Sequence, residues 1–147
     1  MATGVDRTAS TVWEGGLLDG KGHTTFESSG IGTYDVSWPA RTEDPNGMTS
    51  PEELVAGAHS ACFSMSLAGQ IGRAGGTAQR METSVTVTAG KTEKGLGVTK
   101  VAITVRASVD GLDEDAFQEV AQKAKEGCPI SKLIAGNTEI TLDAALA

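Results

Sequence analysis

Ser50-Pro51-Glu52-Glu53-Leu54-Val55-Ala56-Gly57-Ala58-His59-Ser60-Ala61-Cys62-Phe63-Ser64-Met65-Ser66-Leu67-Ala68 is the stretch whose reading decides the fold. It opens as a helix start. Ser50 can cap, Pro51 suits the first helical position because that amide needs no partner, and Glu53 completes a capping box. Beyond Leu54 nearly every residue is apolar or small, and no charge appears until Arg73. A helix without a polar face is expected to be buried by other structure. Gly75-Gly76 is expected to end it. One sheet cannot cover all faces of such a helix, so a homodimer sharing it is the expected resolution.

Upstream, the chain reads as short strands broken by glycine turns. Thr11-Val12-Trp13 leads into the turn cluster Gly15-Gly16-Leu17-Leu18-Asp19-Gly20, and Thr24–Glu27 and Tyr34–Trp38 follow as strands. Arg41 to Thr49, with Pro45, Asn46 and Gly47, reads as a loop. Downstream the period changes to two. From Met81 onward, Thr83, Val85 and Val87 form one half-buried face, and Val101, Ile103, Val105, Ala107 and Val109 form another, with a connection near residues 91–97. Asp113–Glu126 reads as an amphipathic helix with Phe117, Val120, Ala121 and Ala124 inward. Gly127 ends it, Cys128-Pro129 opens a short helical piece through Ile134, and Thr138–Leu146 is a last strand. Strands, buried helix, strands, two helices and a strand make an α+β fold with antiparallel pairing, expected as one domain over residues 1–147.

Composition narrows the function. The 147 residues are 39% hydrophobic and 21% charged, ordinary for a globular chain, and aromatics are sparse at 4%. A formal charge of −7 argues against a nucleic-acid binder, which needs clustered Lys and Arg. No run approaches the ~18 apolar residues of a membrane span. Met1-Ala2-Thr3-Gly4-Val5-Asp6-Arg7 lacks the apolar core of a signal peptide, so the expected compartment is the cytoplasm, where thiols are kept reduced. The two cysteines are therefore read as free, reactive or metal-bound rather than as a permanent disulfide.

Cys62 sits about three turns inside its helix, too deep for the helix N-terminus to activate it. Apolar surroundings would raise its pKa, so a nucleophilic role requires a cation from elsewhere in the chain. Cys128 stands where a new helix starts, and amides there can favour a thiolate. The separation of the two excludes a CxxC motif but not a reversible disulfide between distant segments. Zinc is the chemical rival. His59 and Cys62 share a helix face, and His23 and Cys128 would have to complete the tetrahedron, with no second paired-ligand motif to support it. His59 reads more naturally as a packed or hydrogen-bonded core residue. A noncatalytic ligand-binding protein is the third class, in which both thiols would be inert. Gly95-Leu96-Gly97 enters a strand and is no dinucleotide fingerprint, and no nucleophile elbow is present.

Both cysteine contexts carry a resemblance. Ser50-Pro51-Glu52-Glu53-Leu54 running to His59-Ser60-Ala61-Cys62-Phe63-Ser64-Met65 resembles the first cysteine motif of the osmotically inducible protein C family (OsmC/Ohr). Lys123–Ser131, with Gly127-Cys128-Pro129 at its centre, resembles the second, and Glu139-Ile140-Thr141-Leu142 the closing strand. Trp13-Glu14-Gly15 and Gly20-Lys21-Gly22 fit as well, so the likeness spans almost the whole chain. It implies a thiol peroxidase acting on organic hydroperoxides, protective against oxidative and osmotic stress, and built as an intertwined dimer around central helices. It also implies that Cys62 is peroxidatic, that Cys128 resolves it, and that an arginine and a glutamate attend the reacting centre. The glutamate maps onto Glu52. The arginine maps onto Arg41, before the central helix, since the Gly15–Gly22 turn used by the hydroperoxide-resistance branch holds none. That points to the osmotically inducible branch. A dithiol, such as a lipoylated protein, is the implied reductant, and no bound cofactor or metal is required. Ten residues of helix separate Glu52 from Cys62 by about 15 Å, so a shared site in an antiparallel dimer is expected.

Overall fold

The computed structural model describes residues 3–147; Met1 and Ala2, the start of the segment read for a signal peptide, lie outside the described residues. The chain falls into two compact units divided between Pro51 and Glu52.

The first unit is built on a three-stranded antiparallel sheet, β1 (Ala9–Glu14), β2 (Lys21–Phe26) and β3 (Thr33–Val36), in sequence order. Threonine hydroxyls pair across it, Thr11 with Thr24 at 2.8 Å and Thr25 with Thr33 at 2.9 Å. Phe26 and Tyr34 meet edge to face with centroids 5.8 Å apart. The β1–β2 turn depends on Gly20, where a Cβ would collide with the Gly16 carbonyl oxygen. Ser37 then caps a short helix, α1 (Trp38–Thr42), its hydroxyl accepting the Ala40 N–H at 3.1 Å, with Pro39 in the first turn. Trp38 and Arg41, expected in a strand and in a loop, are therefore helical. The cap and the proline override the β-propensity of the aromatic residue.

The second unit carries the long helix, α2 (Pro51–Arg73), whose first turn holds Glu52 and Glu53 where the helix dipole favours negative charge. It ends on Gly75 at φ +87, and the Gly76 N–H reaches back to the Ile71 carbonyl at 3.0 Å, a Schellman-type closure. Only one stripe is fully buried: His59, Phe63, Leu67 and Ile71, at four-residue intervals. Val55 and Met65 are exposed, Met65 at 75%. Within the chain the long helix is thus buried along one face, where burial all round had been expected.

Two 16-residue strands follow as a hairpin, β4 (Thr77–Thr92) and β5 (Gly95–Asp110). Val101, Ile103, Val105 and Ala107 are buried, as their alternation predicts. Asp113 caps α3 (Glu114–Gly127) by accepting the Ala116 N–H at 2.8 Å. Phe117, Val120, Ala121 and Ala124 face the core with Phe63, Leu67 and Ile71, each large apolar side chain contributing about 1.5–3 kcal/mol by leaving water. After α4 (Pro129–Ile134) the chain closes with β6 (Glu139–Leu146). β6 pairs with β5 in parallel, Lys100 opposite Glu139 through Ala107 opposite Leu146. This corrects the expectation of purely antiparallel pairing. Alternation reveals which faces are buried but not strand direction, and the α3–α4 crossover returns the chain to the start of β5.

Candidate active site

Pro129 shapes the site. A residue preceding proline is driven out of the helical region, so α3 cannot continue through Cys128, which sits at φ −64, ψ 123. The Cys128 N–H still bonds the Ala124 carbonyl at 2.9 Å, and its carbonyl accepts the Lys132 N–H at 3.0 Å. One fully buried residue therefore closes α3 and opens α4, and its side chain is held toward α2. Ser66 strengthens the contact between the long helices by donating to the Ala124 carbonyl at 3.0 Å.

The result is a thiol pair. Cys128 Sγ lies 3.1 Å from Cys62 Sγ, both reduced, with Cys62 partly accessible and Cys128 buried. A disulfide needs about 2.05 Å, so closure requires a shift of about one ångström.

Burial pushes the Cys62 thiol up, and the adjoining Cys128 thiol adds to that, while the Ile130 backbone N–H pulls the other way by hydrogen bonding to the sulfur. The amides opening α4 thus serve Cys62, where the sequence had pointed to Cys128; Cys128 itself makes no side-chain cap. Because the net push is upward, a Cys62 thiolate at neutral pH calls for a cation. Arg41 closes α1 in the first unit, its guanidinium carbon 5.7 Å from the Trp38 ring centroid. Arg106 is already engaged, bonding the Asp143 carboxylate at 3.0 Å and the Asp143 carbonyl at 3.1 Å. Glu52 sits in the first turn of α2, ten residues before Cys62 on the same helix. The structure brings Cys62 and Cys128 together and leaves Glu52 about three helical turns away within one chain.

His59 is a core residue, as expected, but not an apolar one. It is fully buried, and its Nε2 is 2.7 Å from Ser131 Oγ. Ser131 is the member of the site that sequence reasoning missed. The available signal was spacing: His59 precedes Cys62 by three residues, and Ser131 follows Cys128 by three. Among the described residues, no group of three or more His, Cys, Asp or Glu comes together as a metal site.

Comparison with known proteins identifies the family. A family model described as OsmC-like protein matches residues 44–143. Peroxiredoxin OsmC of Escherichia coli is 40% identical over 131 residues, covering 89% of this chain and 90% of that one. Organic hydroperoxide resistance protein OhrB of Bacillus subtilis is 29% identical, covering 92% and 96%. A crystal structure of an organic hydroperoxide resistance protein from Elizabethkingia anophelis superposes with a TM-score of 0.79 at 26% identity, covering both chains completely. The higher identity to OsmC than to OhrB favours the OsmC branch, in line with the absence of arginine from the Gly15–Gly22 turn. The chain belongs to the OsmC-like family.

Proposed function

We propose that this chain is a thiol peroxidase that reduces organic hydroperoxides to alcohols, and the observation that carries the reading is the 3.1 Å approach of Cys62 and Cys128. The relatives named as a peroxiredoxin and as organic hydroperoxide resistance proteins support it. The Cys62 thiolate attacks the distal peroxide oxygen and breaks the O–O bond. The alkoxide leaves with a proton as the alcohol, and Cys62 becomes a sulfenic acid. The Cys128 thiol then displaces the sulfenic oxygen as water and forms the disulfide. A dithiol reductant, such as a lipoylated protein, returns both cysteines to thiols by exchange. The cycle needs no bound cofactor.

Arg41 is the proposed cation that holds the thiolate and stabilises the departing alkoxide, with Glu52 fixing its guanidinium fork. In this reading residues 1–147 act as one OsmC-like domain, and two copies pair along α2. The exposed positions Ala58, Ala61, Ala68 and Gly72 support that pairing, because small residues let two helices approach closely, and Met65 among them adds exposed apolar surface to cover. No described helix is long and apolar enough to cross a membrane; the cytoplasm is the proposed compartment. The test is a thiol count before and after one equivalent of an organic hydroperoxide. Two thiols should fall to none with the loss of two hydrogens by mass, whereas a noncatalytic binding protein would keep both.

A further inference from the structure

Two cross-links join the same pair of helices at the site. Cys62 meets Cys128 through sulfur at 3.1 Å, and one helical step away on each side His59 meets Ser131 at 2.7 Å. The peroxide chemistry uses the first and leaves the second unexplained. We infer that His59 and Ser131 are positioning residues, a buried clasp that fixes the start of α4 against α2 so that Cys128 resolves Cys62 before overoxidation; the inference rests on the two-cysteine reading above.

Stability alone does not account for this pair. His59 is fully buried and Ser131 is 3% exposed, and His59 stands in the same buried stripe of α2 as Phe63 and Leu67. A buried hydrogen bond contributes little net over well-packed apolar groups, and any polar atom left unpaired detracts further. His59 Nδ1 is such an atom, with no hydrogen-bond partner among the described residues. What the pair supplies is direction and distance, which apolar contacts between helices leave loose.

Distance matters at this position. α4 is only six residues long and is tied to α3 through the Cys128 backbone, so it has little hold of its own. Once Cys62 is a sulfenic acid, the hydrogen bonds its sulfur makes with Cys128 and Ile130 must rearrange. The His59–Ser131 bond involves no reacting atom and can persist through that change. It keeps Cys128 within about one ångström of bonding distance while further peroxide competes for the sulfenic sulfur. Burial pushes the His59 imidazole down, so it stays neutral, and its Nε2 donates to or accepts from the hydroxyl according to the tautomer.

The test compares Ser131→Ala, His59→Phe and the double variant. Reduced protein is mixed rapidly with an organic hydroperoxide, and Cys62 is scored by mass as sulfenic acid, disulfide or sulfinic acid. Disulfide closure should slow about tenfold in each single variant, the rate equivalent of one hydrogen bond of about 1.4 kcal/mol. Sulfinic Cys62 should appear at about tenfold lower peroxide, because the branching ratio sets its yield. The double variant should be no slower than the slower single one, since both break the same bond. A merely structural role would lower thermal stability without moving this branching. Closure at the wild-type rate in Ser131→Ala, or multiplied defects in the double variant, would overturn the clasp. Ser131→Ala removes one oxygen and decides the matter even where His59→Phe fails to fold. A wild-type chain that forms no disulfide at all would instead remove the two-cysteine reading.

Discussion

Cys62 and Cys128 are 66 residues apart in sequence and 3.1 Å apart at their sulfurs. Only one of them is accessible, and this sets the order of events. In the proposed cycle peroxide would therefore reach Cys62 first, and the buried Cys128 would act on Cys62.

Substitution at the two positions should therefore give different failures. Cys62→Ser should abolish peroxide reduction, because serine supplies no thiolate. Cys128→Ser should reduce about one equivalent per chain and then stall, with Cys62 collecting as sulfenic and then sulfinic acid. Mass analysis after graded peroxide additions separates the two. Multiple turnover by Cys128→Ser without oxidised Cys62 would end the resolving assignment.

The second prediction concerns the cation. Burial and the neighbouring thiol both raise the Cys62 pKa, with only the Ile130 amide opposing them. Arg41→Ala should accordingly shift pH-dependent alkylation of Cys62 to higher pH and slow peroxide reduction by about 100-fold, the scale of losing one electrostatic donor. If the alkylation profile stays where it is, Arg41 is not the activating group. Arg7, Arg73 and Arg106 would then be next, and Arg106 would have to leave Asp143.

How far this site was legible in the sequence varies by residue. Phe117, Val120, Ala121 and Ala124 were readable as the inner face of α3 because charged neighbours mark its outer face. The buried stripe of α2 was not, since His59, Phe63, Leu67 and Ile71 stand among residues nearly as apolar or small. The two cysteines could be named from their contexts, but their contact could not, because the sulfurs are brought together by the Pro129 break and by packing. Ser131 had only its three-residue spacing from Cys128 to mark it, and its contact with His59 was hidden for the same reason. A serine at the start of a short helix reads as a surface residue until the fold places His59 against it. Strand direction was also beyond reach, since Glu139–Leu146 alternates identically whether it runs with β5 or against it.

A third prediction follows from the buried imidazole. The folded pKa of His59 lies below its unfolded value near 6.5, so the unfolded chain takes the proton first as pH falls. Its contribution is complete above about pH 6.5 and is lost as pH drops through that value toward the folded pKa. The slope is at most about 1.4 kcal/mol per pH unit, one proton's worth. Denaturant midpoints at pH 7.5, 6.5 and 5.5, compared with His59→Phe at equal protein concentration, isolate it. The Arg106–Asp143 pair does not confuse the window. Asp143 is held below the usual carboxylate range, so its contribution is lost only at more acid pH. A wild-type midpoint as insensitive to pH as that of His59→Phe would refute the prediction.

The last prediction is about assembly. Glu52 and Cys62 are ten residues apart on α2, about 15 Å of helix, farther than a carboxylate can act on a group touching the sulfur. An antiparallel pairing of two α2 helices would bring Glu52 of one chain toward Cys62 of the other. It would also cover Val55 and Met65, which one chain leaves 40% and 75% exposed. Light scattering should therefore give a dimer mass at micromolar protein, and Ala61→Glu, which sets a charge in the middle of the exposed α2 face, should give a monomer of lower activity. Glu52→Ala and Cys62→Ser chains, each inactive alone, should complement when refolded together. Random pairing makes half the dimers mixed, each with one complete site, so about a quarter of wild-type activity per chain should return. A fully active monomer, or a dimer without complementation, would refute the shared site and leave the two-cysteine chemistry to a single chain.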